Sequence, residues 1–92
     1  MQQIYQLPEE LTIYEVGDVH QQIKGILSEG DALVLDGALV EVLDSAGYQL
    51  LIWFIRYAER QGMATPIIKP SEQIIKYGEL LQCPAILECK PQ

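Results

Sequence analysis

One stretch limits the folds open to this chain more than any other. It is an unbroken amphipathic run from Ala46 to Arg60, entered through Leu43-Asp44-Ser45 and left through Gln61-Gly62. On an ideal wheel of about 100° per residue, Gln49, Arg56 and Arg60 mark a polar meridian. Leu51, Phe54 and Ala58 point the other way, flanked by Leu50 and Ile55. Such a stripe predicts a long helix with one face on a core. At its entry Ser45 is placed as an N-cap, its hydroxyl accepting from a backbone N–H two or three residues on. Asp44 adds negative charge near the positive end of the helix dipole. Gly62 supplies the residue that turns left-handed just past the end. Ser45 is therefore expected at an exposed strand-to-helix turn, a good place for a switch.

The helix carries more apolar surface than one core face needs. Ile52 and Trp53 fall on either side of the polar meridian, within about 60° of it. Two explanations are open. They are shoulder residues covered by a neighbouring element, or they form an exposed patch beside Arg56 suited to a partner protein, where aromatics and Arg are enriched. A membrane span is not expected, because the apolar run Leu50–Ile55 is far shorter than the roughly 20 residues required.

The remaining elements read in order. Ile4-Tyr5-Gln6-Leu7 and the alternating Leu11–Val16 suggest two strands of a hairpin with Pro8 in the turn. Asp18 is the expected N-cap of a helix over Val19–Ser28, ended by Gly30-Asp31. Ala32-Leu33-Val34-Leu35 is the continuous apolar run of a buried central strand. A second apolar stretch, Leu39–Leu43, leads into the Ser45 turn. Thr65-Pro66-Ile67-Ile68 reads as another strand, and Pro70-Ser71 opens a third helix with Ser71 as N-cap. Ile74, Ile75, Tyr77, Leu80 and Leu81 belong to its apolar face, and Cys83-Pro84 stops it. Ala85–Cys89 fits a last short strand or a docked tail. This order predicts an α/β fold: a small single-layer mixed sheet of about four to five strands with helices packed on it, and right-handed crossovers. With 92 residues, 1–92 is expected to form one domain.

Composition narrows the function classes. The formal net charge of −7 argues against nucleic acid as a partner. From Glu9 to Asp44 the acids Glu9, Glu10, Glu15, Asp18, Glu29, Asp31, Asp36, Glu41 and Asp44 face a single Lys24, so an acidic face could steer a basic partner. Cys83 and Cys89 match neither a zinc pattern nor a redox Cys-x-x-Cys. With no basic, apolar leader at Met1, a cytoplasmic protein with free thiols is expected. His20, the one histidine, lies among polar neighbours without an orienting acid, so a Ser-His-acid arrangement is not expected. Phosphate-cradling glycine loops are missing, and Asp36, Glu41 and Asp44 match no calcium-loop spacing. The chain is expected to be no enzyme and to carry no cofactor or metal.

The run Asp36-Gly37-Ala38-Leu39-Val40-Glu41-Val42-Leu43-Asp44-Ser45-Ala46-Gly47 resembles the signature of the STAS domain of sulfate transporters and anti-sigma factor antagonists, Asp-Leu-Ser-x-Val-x-x-Ile-Asp-Ser/Thr-Ala/Ser-Gly. Leu7-Pro8-Glu9-Glu10-Leu11 and Ala46-Gly47-Tyr48-Gln49-Leu50-Leu51 are most similar to the compact STAS proteins encoded beside bacterial chemotaxis genes. Gly37-Ala38 stands where the family has Leu-Ser, Lys69-Pro70-Ser71 where Asn-Pro-Ser is common, and Ile13-Tyr14-Glu15-Val16-Gly17 where clear kinase substrates have Gly-Glu-Leu-Asp. The resemblance implies that Ser45 is phosphorylated by an anti-sigma factor with serine-kinase activity and reset by a phosphatase, the unphosphorylated form binding the anti-sigma factor. Asp44 would shape the turn. The alternative is a constitutive STAS adaptor in a chemotaxis or lipid-transport ABC assembly, bound through Ile52, Trp53 and Arg56. A nucleotide-binding module is a third reading, since some STAS domains are reported to bind nucleotides, but this chain offers no phosphate loop for it.

Overall fold

The computed structural model describes residues 2–30, 32–62 and 66–80. Five strands and three helices follow in the order β1 (Gln2–Gln6), β2 (Glu10–Leu11), α1 (Val16–Ser28), β3 (Ala32–Asp36), β4 (Val42–Leu43), α2 (Ser45–Arg60), β5 (Ile67–Ile68) and α3 (Glu72–Leu80). The fold is mixed α/β with small parallel ladders, consistent with the expected architecture. The strands divide into a three-stranded sheet in the order β1-β3-β5 and a separate two-stranded ribbon, β2-β4. Every one of these pairings is parallel, where a single mixed sheet was expected.

β3 is the central strand. Leu33, Val34 and Leu35 are all buried, as a strand covered on both faces requires. Gln2–Gln6 runs beside Ala32–Asp36 in register, and Leu35-Asp36 pairs with Ile67-Ile68 on the other side. The core joins Leu33 and Leu35 to Ile23 of α1, to Leu51 and Phe54 of α2 and to Ile74 of α3. On α2 the expected face is the buried one: Leu50, Leu51, Phe54, Ile55 and Ala58 lie inside, while Gln49, Arg56 and Arg60 are exposed. Past its end Gly62 takes φ +75°, the left-handed conformation that a glycine adopts freely. Ser71 accepts from the Ile74 N–H at 3.3 Å and so opens α3 as expected. Ile74 is buried, Ile75 and Tyr77 are half-buried, and Leu80 is 76% exposed rather than part of the apolar face. Leu81, Cys83, Pro84 and Ala85–Cys89 lie outside the described residues.

The hairpin does not form. The Leu7 N–H donates to the Asp36 carbonyl, continuing the β1–β3 ladder, while the Glu9 carbonyl accepts from the Glu41 and Val42 N–H groups. Each half of the expected hairpin thus has a distant parallel partner. The alternation over Leu11–Val16 is also not a strand. Only Leu11 pairs, and Ile13 and Tyr14 are exposed. The Thr12 N–H and hydroxyl both donate to Glu15 Oε1, at 2.9 and 2.6 Å, and the Thr12 carbonyl accepts from Glu15 and Val16. This is the Thr-x-x-Glu spacing of a helix start with only its Glu15 half formed. Thr12 Oγ donates to Glu15 rather than accepting its N–H, and the N-cap of α1 is Glu15. α1 accordingly begins at Val16, and Asp18, the expected cap, sits inside its first turn.

Candidate functional site

The β4–α2 turn is built from below by an exchange of apolar and polar contacts. In the ribbon Leu11 sits opposite Leu43 and Glu10 opposite Val42. Leu11 and Leu43 are buried and Glu10 and Val42 exposed, so the ribbon has one core face and one open face. Its core face presses on the first turn of α2. A Cβ placed on Gly47 would overlap the Leu11 carbonyl oxygen and lie 2.9 Å from Leu43 Cδ1. No larger residue fits there without moving the ribbon, which explains the glycine of Asp44-Ser45-Ala46-Gly47.

The N-cap of α2 is Asp44, and this corrects the expectation for Ser45. Asp44 has extended backbone angles, and its Oδ1 accepts from the Gly47 N–H at 2.9 Å. Its Oδ2 accepts at 2.9 Å from the Ile13 N–H, which arrives from the β2–α1 loop. A carboxylate has two acceptor oxygens and can serve both donors; a hydroxyl offers less. The hydrogen bonds from Gly47 and then Ile13 hold the Asp44 carboxyl below its ordinary value, because they favour the charged form. Ser45 becomes the first helical residue. Its side chain is exposed and, among the described residues, its hydroxyl has no hydrogen-bond partner.

Two exposed apolar side chains stand beside this turn on the loop that Asp44 holds: Ile13 at 65% and Tyr14 at 88% exposure. Val42 on the open face of the ribbon is 48% exposed. Sequence reasoning missed all three as surface residues. The Thr-x-x-Glu pattern at Thr12 was the signal that could have moved Ile13 and Tyr14 out of a strand.

The other expected partner residues lie farther along α2. Ile52 and Trp53 are half-buried and packed against the core, and Arg56 is exposed. Trp53 meets His20 edge-to-face, with ring centroids 4.5 Å apart. Here α1 partly covers the shoulder, and His20 is a half-buried aromatic partner rather than a free surface histidine. Two shallow grooves adjoin Trp53. One, of about 230 Å³, is lined by Gln49, Ile52, Trp53, Arg56 and Arg60. The other, of about 290 Å³, runs from Ala46 past Gln49 and Leu50 to His20. Gln49 and Trp53 line both, so the grooves lead from beside Ser45 to Arg56. Among the described residues no group of three His, Cys, Asp or Glu could hold a metal ion. Asp36, like Asp44, gives a carboxylate oxygen to a backbone N–H, that of Ala38. No helix among the described residues is long and apolar enough to cross a membrane.

No curated protein and no solved structure matches the chain significantly. The STAS domain model, in contrast, matches residues 3–91. The Asp-Ser-Ala-Gly turn, the parallel ladders and a family match over nearly the whole length together place this chain in the STAS domain family.

Proposed function

We propose that this STAS domain is a regulatory protein-binding module of the anti-sigma factor antagonist type, switched by phosphorylation of Ser45 in the cytoplasm. Domains of this family are generally non-enzymatic, and a regulatory or adaptor role agrees with membership in it. The observation that carries the reading is the division of labour at the turn. Asp44 caps α2, so the exposed Ser45 hydroxyl has no structural task. A partner kinase would transfer the terminal phosphoryl group of ATP to Ser45 Oγ: the Oγ–P bond forms, the bond to ADP breaks, and the hydroxyl proton leaves to a kinase base. The phosphate would meet the backbone N–H groups at the start of α2 while adding about −1.5 to −2 charge beside Asp44. Binding would be lost through repulsion and desolvation without unfolding the domain. A phosphatase would restore it.

The test is intact mass of the protein purified from its own host, with peptide mapping over 37–56. A phosphate on Ser45, binding locked on in Ser45→Ala and binding lost in Ser45→Asp support the switch. An unmodified Ser45 under several growth conditions removes it. The second reading is a constitutive adaptor in a chemotaxis or lipid-transport assembly. It rests on the grooves beside Trp53, where half-buried Ile52 and exposed Arg56 stand together. Ser45→Ala leaves that adaptor's partner bound. Neither reading involves nucleic acid or membrane insertion.

A further inference from the structure

The chain's negative excess falls in two segments of the sequence. Segments 9–18 and 36–45 contain seven acids and no Lys, Arg or His, which equals the whole net charge of −7. The other six acids are matched by the six Lys and Arg. The fold joins these two segments: Glu9 receives the Glu41 and Val42 N–H groups, Glu10 pairs with Val42, and Ile13 hangs from Asp44. Within this acidic region Ile13, Tyr14 and Val42 are exposed, and exposed Glu9, Glu10 and Glu41 accompany them.

From this juxtaposition we infer that Ile13, Tyr14 and Val42 are the apolar anchors of a docking surface for a cationic protein surface, one that brings Lys or Arg to Glu9, Glu10 and Glu41 around an apolar contact. A second copy of this chain brings the same acidic excess and is repelled. Nucleic acid is repelled for the same reason. Tyr14 supplies a large, semi-rigid contact of the kind that dominates interface energies, and the surrounding carboxylates supply steering and register. The Asp44 carboxylate fixes the Ile13 backbone, so the anchors are presented by a held loop. The inference deepens the proposed function by naming the chemistry of the partner. It rests on the reading that the face around Ser45 binds a protein, and it does not require phosphorylation.

The experiment places a benzophenone-bearing amino acid at Tyr14 in the full chain, expressed in its own cells, and maps the cross-linked peptide by mass spectrometry. The same photoprobe at Arg56 reports the groove beside Trp53. The expected result is an adduct at Tyr14 to a protein whose cross-linked peptide has an excess of Lys and Arg. Its yield falls at least about tenfold in Glu9→Gln/Glu10→Gln/Glu41→Gln, and it falls as salt is raised. An unchanged melting temperature shows that the triple variant folds, and the salt titration on the wild-type chain reads the same electrostatics without a variant. An adduct whose peptide is neutral or acidic overturns the inference. So does an adduct to a second copy, a yield indifferent to both charge tests, or cross-linking at Arg56 alone. If the Tyr14 adduct persists equally in Ser45→Ala and Ser45→Asp, the surface stands and the phosphorylation switch falls.

Discussion

The two parallel ladders of this domain solve different problems. The β1-β3-β5 sheet is held by burial: Leu33 and Leu35 are fully enclosed and belong to a core cluster to which all three helices contribute. The β2-β4 ribbon pairs only two residues on each side. It buries Leu11 and Leu43 but leaves Glu10 and Val42 open, and its far end is tied to α2 by the Asp44 carboxylate. The first ladder supports the fold through its enclosed central strand, with Ile4 of β1 as its exposed apolar side chain. The second presents Ser45, Ile13 and Tyr14. A two-residue ribbon with one open face is expected to open at lower cost than global unfolding, and binding surfaces belong on such units. The comparison predicts that damage in the sheet is global and damage in the ribbon is local.

The largest effect tests the first half of that statement. Phe54 is fully buried in the core cluster that includes Leu33 and Leu35, and Phe54→Ala is expected to cost about 3–5 kcal/mol. That is a large share of the stability of a domain this size, of order 5–15 kcal/mol. Denaturant titration should show one cooperative transition at a much lower midpoint. Loss of the ribbon alone, with the sheet intact, would break the comparison. Gly47→Ala comes next. The new methyl overlaps the Leu11 carbonyl, a backbone group that cannot rotate away, and overpacking of this kind costs about 1–3 kcal/mol. Hydrogen exchange should accelerate at Leu43 and Val42 and much less at Leu33 and Leu35. Uniform acceleration would mean that the two ladders open as one unit.

This asymmetry also explains which parts of the fold were legible in the sequence. β3 was readable because Leu33, Val34 and Leu35 are buried side by side, and α2 because its apolar stripe is long and continuous. Ser71 and Gly62 were readable because their tasks are local. Partner choice was not. Nothing near Ile4 says that its strand pairs with Val34 rather than with the neighbouring Leu11 segment. A two-residue strand such as Val42-Leu43 carries no periodicity to detect. At the site, Asp44 and Ser45 are both good capping types by local rules. What favours Asp44 is the Ile13 N–H, 31 residues away in sequence, which a two-oxygen acceptor can serve while still capping α2. The Trp53 shoulder was ambiguous for the same reason: its cover, His20, belongs to another helix.

Asp44 itself gives a smaller, more selective test. In Asp44→Asn the single remaining carbonyl oxygen can accept from Gly47 or from Ile13 but no longer gives each an oxygen of its own. The helix should keep its cap, and the Ile13 amide should lose protection by roughly tenfold while amides of β3 do not change. The same change removes a pH dependence. Because its folded carboxyl is held below the ordinary 3.8, Asp44 contributes stability that is fully present above that value. That contribution is lost as pH falls through the lower folded value. Thermal melts taken from about pH 5 downward should therefore show a shallower acid limb in Asp44→Asn than in the wild type. Identical acid limbs would show that the Asp44 link does not hold the ribbon.

The smallest effect is expected on the other side of the comparison, and it should be a gain. Lys69 follows β5 of the sheet with φ +49°, the only positive φ at a non-glycine position among the described residues. A Cβ in the left-handed region crowds the following carbonyl, at roughly 1–2 kcal/mol for an ordinary side chain, and Asn tolerates it better than Lys. The sequence Lys69-Pro70-Ser71 departs here from the Asn-Pro-Ser common in the family, and the backbone supplies a reason for that asparagine. Lys69→Asn should therefore stabilise the domain by about 0.5–1 kcal/mol. Because the strain sits in the sheet half, the protection of the Ile13 amide relative to global stability should stay as it is, and so should access to Ser45. A midpoint that rises in denaturant titration, with unchanged local exchange at Ile13, would show that the fold can be strengthened without tightening the surface it presents. A gain that also slows opening at Ile13 would mean that β5 and the ribbon share one cooperative unit, and the division between the supporting sheet and the presenting ribbon would have to be withdrawn.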